Sequence, residues 1–307
     1  MTLSVCVIIP TRGRTHCVYE TLSTFAIQDD LDFDLWLIDQ NEVPLKLEQY
    51  SFPIYHEHME PLGSHAGRNR AIYKTDKDIC IFVDDDVLVP KNFISLHKQA
   101  FKRALEVNDN IGVVAGRVIQ PKDNLTDLQM QQLSRRATYN AITGQVYGNF
   151  FGTTQEYVDH IHECNFAAQT KVLRLVGGFN ERFAGNAYFE GTDLSLRILK
   201  SGYKIIFRPE VSLTHMQDSL GGNRVQEKST HNYWYMRNLS LLNSLHLKKR
   251  YLPVFELYSI LYILGKSAKN LDFRIATEGF KGLFEGLRFF LPSNRPKVIN
   301  SQSTFLK

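Results

Sequence analysis

Long apolar runs are the first thing this 307-residue chain lacks. Its most apolar segment, residues 252–264, is too short to span a bilayer and contains Glu256. The N-terminal apolar stretch, residues 3–9, runs straight into Pro10 and does not have the form of a signal peptide. Cysteine is scarce as well. Cys6, Cys17, Cys80 and Cys164 show neither a C-x-x-C spacing nor a disulfide framework, which fits a reducing compartment. Charge of one sign is also missing. The balance of 36 basic and 32 acidic residues leaves +4, too mild to indicate a nucleic-acid partner. No Walker A and no G-x-G-x-x-G is present, which counts against P-loop and dinucleotide chemistry. The expected location is the cytoplasm, with the basic C-terminal region able to touch the inner face of a membrane.

What is present is a hydrophobic content of 43%, enough for a real core, organised around residues 79–86. Ile79-Cys80-Ile81-Phe82-Val83 reads as a strand buried on both faces, as in the centre of a parallel sheet. Asp84-Asp85-Asp86 closes it at the carboxyl edge, where open α/β sheets bind ligands. Side chains alternate along a strand, so Asp84 and Asp86 share a side and Asp85 faces away. Two oxygen ligands in that spacing suit Mg²⁺ or Mn²⁺ held against phosphate, and a solvated acidic turn is the plain alternative.

Residues 5–9 form a second buried-strand run, ended by Pro10-Thr11-Arg12-Gly13-Arg14. A helix over 15–26 and a strand over 35–38 follow, which is the order of a right-handed parallel βαβ unit. Asp39 ends that strand, placed either to take ribose or base donors or to cap a turn. Residues 53–56 predict a short strand, and a helix from about Ser64 contains Gly67, Arg68 and Asn69, read either as a capped helix with an exposed Arg, the commoner case for this stretch alone, or as a setting that favours a diphosphate. Pro90 is placed at the first position of a helix running to about 107. Strands are expected over 111–118 and 162–168, a helix over 171–176, and strands over 203–207 and 211–215. Residues 121–154 read as a loop or lid over the crevice. The second chemical stretch is residues 185–197. A helix beginning near Glu190 puts Glu190 and Asp193 on one face at its positive end, either as a base or as ordinary first-turn acids. His215 at a strand end reads either as a structural histidine, the commoner case, or as a nitrogen ligand that would complete the site begun by Asp86.

The composition changes near Ser219. Gly221-Gly222-Asn223 is a break, after which helices over 226–243, 239–247, 252–264 and 280–291 lead to a polar tail. Their apolar and aromatic stripes beside basic residues suit an anionic membrane surface, or a helical cap packed on the main domain. The expected division is 1–218 and 219–307.

Taken together, Val7-Ile-Ile-Pro-Thr-Arg12, Asp39-Gln40-Asn41, Gly67-Arg68-Asn69, Val83-Asp-Asp-Asp86, the segment 177–183, the helix 190–197 and His215 resemble the family two glycosyltransferases over residues 4–215. The resemblance implies the GT-A fold, a Rossmann-like, mostly parallel α/β sheet flanked by helices. It also implies inverting transfer from a nucleotide-diphosphate sugar. By analogy Pro10, Thr11, Arg12 and Asp39 would line the base and ribose pocket with Arg68 nearby. Asp84, with Asp85 beside it, would contact the donor, and Asp86 and His215 would hold Mn²⁺ or Mg²⁺. Glu190 would be the first choice of base and Asp193 the second, because Gly191 stands where many relatives have Asp. The acceptor would be lipid-linked or an oligosaccharide, in surface polysaccharide or glycolipid synthesis.

Two other readings compete. A sugar nucleotidyltransferase shares the layout but usually begins with a Gly-rich, Lys-containing loop, where this chain has Pro10-Thr11-Arg12-Gly13-Arg14. A non-catalytic nucleotide-sugar-binding or scaffold module would use its C-terminal helices as the working surface, and failure to bind nucleotide would favour it.

Overall fold

The computed structural model describes residues 3–107, 110–120, 137–148, 150–216, 221 and 227–291. Of the expected lid, 121–136 and 149 lie outside the described residues, as do Gly222, Asn223 and the tail beyond 291.

The strands are β1 Val5–Thr11, β2 Asp34–Asp39, β3 Ile54–His58, β4 Ile79–Phe82, β5 Val87–Leu88, β6 Ile111–Ile119, β7 Thr138–Tyr139, β8 Val146–Tyr147, β9 Glu156–Tyr157, β10 Phe166–Gln169 and β11 Lys204–His215. The helices are α1 Thr15–Ala26, α2 Ser64–Lys74, α3 Phe93–Val107, α4 Thr170–Leu175, α5 Glu190–Lys200, α6 Lys228–His246, α7 Leu252–Asn270 and α8 Phe273–Leu287. The main sheet runs β3-β2-β1-β4-β10-β6-β11-β5, with β9 added on β11. β3, β2, β1 and β4 are mutually parallel, β10 runs against its neighbours β4 and β6, and β6 and β11 are parallel. This is the mixed, mostly parallel α/β sheet expected from the buried-strand runs.

Those runs are continuous because each strand feeds two cores. Val5, Val7 and Ile9 of β1 pack with Ile79, Ile81 and Val83 against Val18, Leu22 and Phe25 of α1 and Phe93 and Phe101 of α3. The alternate residues Cys6, Ile8, Cys80 and Phe82 face Ala71 and Ile72 of α2, Val172 of α4 and Leu194 and Ile198 of α5. The period of two that places residues on opposite faces thus divides one strand between two helix layers. A third core joins Phe183 and Leu196 to Met236, Leu239 and Leu242 of α6, Phe255 and Ile263 of α7 and Leu283 of α8.

Several boundaries differ from expectation for local reasons. The strands expected over 203–207 and 211–215 are one strand, β11, which begins at Lys204 and whose register shifts between Arg208 and Ser212 and so absorbs Pro209. The expected start of β10 at 162 is a turn, closed by the Asn165 N–H on the His162 carbonyl, and pairing begins at Phe166. Pro90 lies before α3, where its carbonyl accepts the Phe93 N–H and the Gln28 amide. The expected helix over 239–247 is the end of α6, which runs unbroken to His246. No helix among the described residues is long and apolar enough to cross a membrane.

Candidate active site

Topology brings the two ends of the acidic site together. β4 ends at Phe82, Asp84-Asp85-Asp86 form the turn, and β5 then pairs antiparallel with the end of β11, Val87 opposite His215. The Met216 N–H closes on the Asp86 carbonyl at 2.9 Å. A strand pairing therefore sets His215 beside carboxylates 129 residues earlier in the chain.

The three acids point as strand alternation requires. His215 Nε2 lies 3.1 Å from Asp86 Oδ1 and 4.0 Å from Asp84 Oδ2. Asp84, Asp86 and His215 each offer a ligand atom within 4.8 Å of the others. Asp85 turns the other way, accepting from Thr11 Oγ1 at 2.7 Å and Arg14 Nη1 at 2.9 Å. Arg14 Nη1 also reaches Asp86 Oδ2 at 3.1 Å. Burial pushes the Asp85 carboxyl up to about 6, although Arg14 and Thr11 pull it down. Cys164 Sγ sits 3.8 Å from His215 Nδ1, on the ring edge away from the carboxylates. Burial raises the Cys164 thiol well above its ordinary value, so it stays protonated there and orients the ring.

Arg68 links this turn to α5. Its Nη2 donates to Asp84 Oδ1 at 2.8 Å and its Nη1 to Glu190 Oε1 at 2.6 Å. Glu190 also meets His65 Nδ1 at 3.0 Å and accepts from Ser64 Oγ at 3.3 Å. Burial alone would raise the Glu190 carboxyl, but His65 and Arg68 outweigh it and hold it below the usual range. Asp193 faces elsewhere. It takes Arg197 on one oxygen at 2.8 Å and His246 Nε2 on the other at 2.7 Å, joining α5 to α6. Those two partners overcome burial and keep Asp193 below its ordinary value too.

The residues expected to line a base and ribose pocket do not gather in one place. Thr11 is tied to the acidic turn through Asp85, whereas Pro10 is buried in β1 beside Ile38, and Arg12 is exposed on the following loop. Asp39 is fully buried, and although it lies opposite Thr11 in the β1–β2 pairing its side chain bonds no other candidate. It accepts from the N–H groups of Asn41 and Leu45 and meets His56 Nε2, so it closes the loop after β2. Burial works against its charge, yet the Leu45 and Asn41 amides keep it below the usual carboxylate range. Thr11, Asp84, Asp85, Asp86, Arg68, Glu190 and His215 thus form one connected network, from which Asp39 and Asp193 stand apart.

Residues outside the sequence candidates also belong to these arrangements, among them Arg14, His65, Glu163 and His246. Glu163 is half-buried beside α5, and its Oε1 accepts the Gly191 N–H at 3.0 Å. The signal for it was Gly191 itself, since a Cβ there would lie 2.4 Å from Glu163 Oε1. A helix start without a side chain marks a place that another group fills.

A family model described as Glycosyl transferase family 2 matches residues 6–169. No curated protein matches the chain significantly. Among solved structures, the chain is similar to the mannosyltransferase PcManGT from Pyrobaculum calidifontis in complex with GDP-Man and Mn²⁺. The identity is 14% and the TM-score 0.53, over 95% of this chain and 88% of that one. It is also similar to S. aureus TarS 1-349 in complex with UDP-GlcNAc, at 12% identity and a TM-score of 0.51, over 94% and 91% of the two chains.

Proposed function

Since the chain belongs to glycosyl transferase family 2 and is a glycosyltransferase with the GT-A fold, we propose that it transfers a sugar, with inversion, from a nucleoside-diphosphate donor to an acceptor hydroxyl, using Mn²⁺ or Mg²⁺. The observation that supports this most is the convergence of Asp84, Asp86 and His215 at the carboxyl end of the parallel strands. Two carboxylates and an imidazole are a suitable donor set for Mn²⁺, and they leave room for the oxygens of a diphosphate. Asp86 and His215 would hold the ion, with Asp84 between it and the ribose. The bound ion would supply charge neutralisation for the departing nucleoside diphosphate. Arg68 adds a second cation, and its Nε is buried with no hydrogen-bond partner among the described residues. Pro10, Thr11, Arg12 and Asp39 would shape the base and ribose side, with Asp85 and Arg14 fixing the turn from behind. The region after 219 acts in this reading as a helical extension of the transferase domain.

The acceptor side follows from α7. Leu257, Tyr258, Leu261 and Leu264 are exposed at helical spacing on it, while Lys248, Lys249 and Arg250 are exposed just before its start. An apolar stripe beside a basic cluster favours contact with an anionic bilayer, and so a lipid-linked acceptor at its cytoplasmic face.

Calorimetric titration of UDP, GDP and dTDP, with and without Mn²⁺, tests the proposal. The expected result is metal-dependent binding of one nucleotide, lost in Asp86→Ala. A folded protein that binds none of the three would refute the transferase mechanism described here.

A further inference from the structure

We propose that Glu163 is the general base that takes the proton of the acceptor hydroxyl, a role that rests on the transferase reading above. The geometry begins with what the other carboxylates are doing. Glu190 is held on both oxygens by Arg68, His65 and Ser64, and Asp193 on both oxygens by Arg197 and His246. A carboxylate clamped by cations is a poor proton acceptor. Glu163 has a different setting. One oxygen accepts the Gly191 N–H at the start of α5, and no basic side chain makes an ion pair with the carboxylate among the described residues.

Its position depends on a missing side chain. Any Cβ at Gly191 would fall 2.4–2.7 Å from the Glu163 carboxyl and Cγ, so only glycine there admits this carboxylate to the first turn of α5. The next residue along, Cys164, touches the candidate metal ligand His215, while Arg68 spans from Asp84 to Glu190. Glu163 therefore stands at the start of α5 in the neighbourhood of Glu190 and Arg68, the pair that ties this helix to the acidic turn. Burial and the neighbouring Glu190 push its carboxyl up to about 7, against the pull of Arg68. That is the range in which a base serves best near neutral pH.

The step balances without a covalent intermediate. The acceptor O–H gives its proton to the second oxygen of Glu163, and its oxygen forms the bond to the anomeric carbon from the opposite face. The bond from that carbon to the phosphate oxygen breaks, and its electron pair leaves with the nucleoside diphosphate. Glu163 then returns the proton to solvent. Glu190 is a positioning residue here, holding Arg68 between the two sides.

The test uses the full chain with Mn²⁺, following binding of UDP, GDP and dTDP by calorimetry and release of nucleoside diphosphate from UDP-GlcNAc and GDP-mannose with water as acceptor. Glu163→Gln should bind nucleotide within about twofold of wild type and lose about 100-fold or more of the release rate. Glu163→Ala combined with Gly191→Asp should recover at least about tenfold over Glu163→Ala alone, since the new carboxylate enters the vacated place. Release by Glu163→Gln within twofold of wild type, with binding intact, overturns the assignment. So does a double variant that binds nucleotide yet recovers nothing. Failure of wild type to bind any of UDP, GDP and dTDP instead overturns the transferase reading, and the base with it.

Discussion

Replacing Glu163 with Gln has a second consequence, on stability, that runs opposite to its effect on turnover. The ordinary carboxyl value of 4.5 rises to about 7 in the folded protein because burial and Glu190 disfavour the charge more than Arg68 favours it. Between pH 4.5 and 7 the folded state keeps a proton that the unfolded chain has released. Folding stability contributed by this group therefore falls as pH rises through that window. The shift corresponds to about 3 kcal/mol, fully lost by pH 8. Gln has the same shape, keeps an oxygen to accept the Gly191 N–H, and cannot ionise. The variant should match wild type at pH 5 and melt roughly 5 °C higher at pH 8. Thermal unfolding followed by circular dichroism at the two pH values measures this directly. A variant less stable than wild type at pH 8, or offset equally at both pH values, would show that Glu163 is not a carboxylate held at a cost to the fold.

Three further outcomes follow from the same contacts. Arg68→Ala leaves Glu190 buried without its main cation and should cost about 3–5 kcal/mol in urea unfolding, with Arg68→Lys recovering part of the loss. Asp193→Asn should weaken the ties to Arg197 and His246 and cost about 3 kcal/mol, while calorimetry finds nucleotide binding retained. Leu261→Glu, on the exposed stripe of α7, should reduce sedimentation with phosphatidylglycerol vesicles about tenfold without changing the melting temperature.

The sheet was legible because its central strands are buried on both faces, and a short unbroken apolar run such as 5–9 or 79–83 is what such a strand requires. The acidic turn was legible for a related reason, since a strand's alternation alone sets Asp84 and Asp86 together and Asp85 apart. What escaped were partners set by tertiary packing. The buried arginine behind the turn is Arg14, two residues past Arg12, and nothing local distinguishes them before α1 packs its first turn against the sheet. Asp193 follows Glu190 by three residues, which leaves about 60° between them on a helix, enough to turn it toward α6. Arg197, four residues on, was the sequence signal for that outcome. Residues 162–165 looked like strand, so Glu163 had no visible reason to leave the ladder. The long-range pairing that frees it, Asn165 side-chain amide to the Arg117 and Val211 carbonyls, joins three separate segments.

The charges gathered here argue for the metal independently of its ligand geometry. Asp84, Asp85, Asp86 and Glu190, with Glu163 charged only in part near neutral pH, lie around Arg14 and Arg68. Both arginines are already engaged with carboxylates, Arg14 between Asp85 and Asp86 and Arg68 between Asp84 and Glu190. A nucleoside diphosphate would add further negative charge to a crevice whose acids already outnumber its cations. Electrostatics alone would then repel the donor unless a divalent cation entered with it. Removing metal with EDTA should therefore weaken nucleotide binding by at least about 100-fold, and Mn²⁺ should restore it. Asp84→Asn should relax part of that dependence by removing one negative charge from the crevice. A nucleotide affinity indifferent to chelation would mean that Arg68 and the backbone suffice for the diphosphate, and that the Asp84, Asp86 and His215 cluster serves the fold instead.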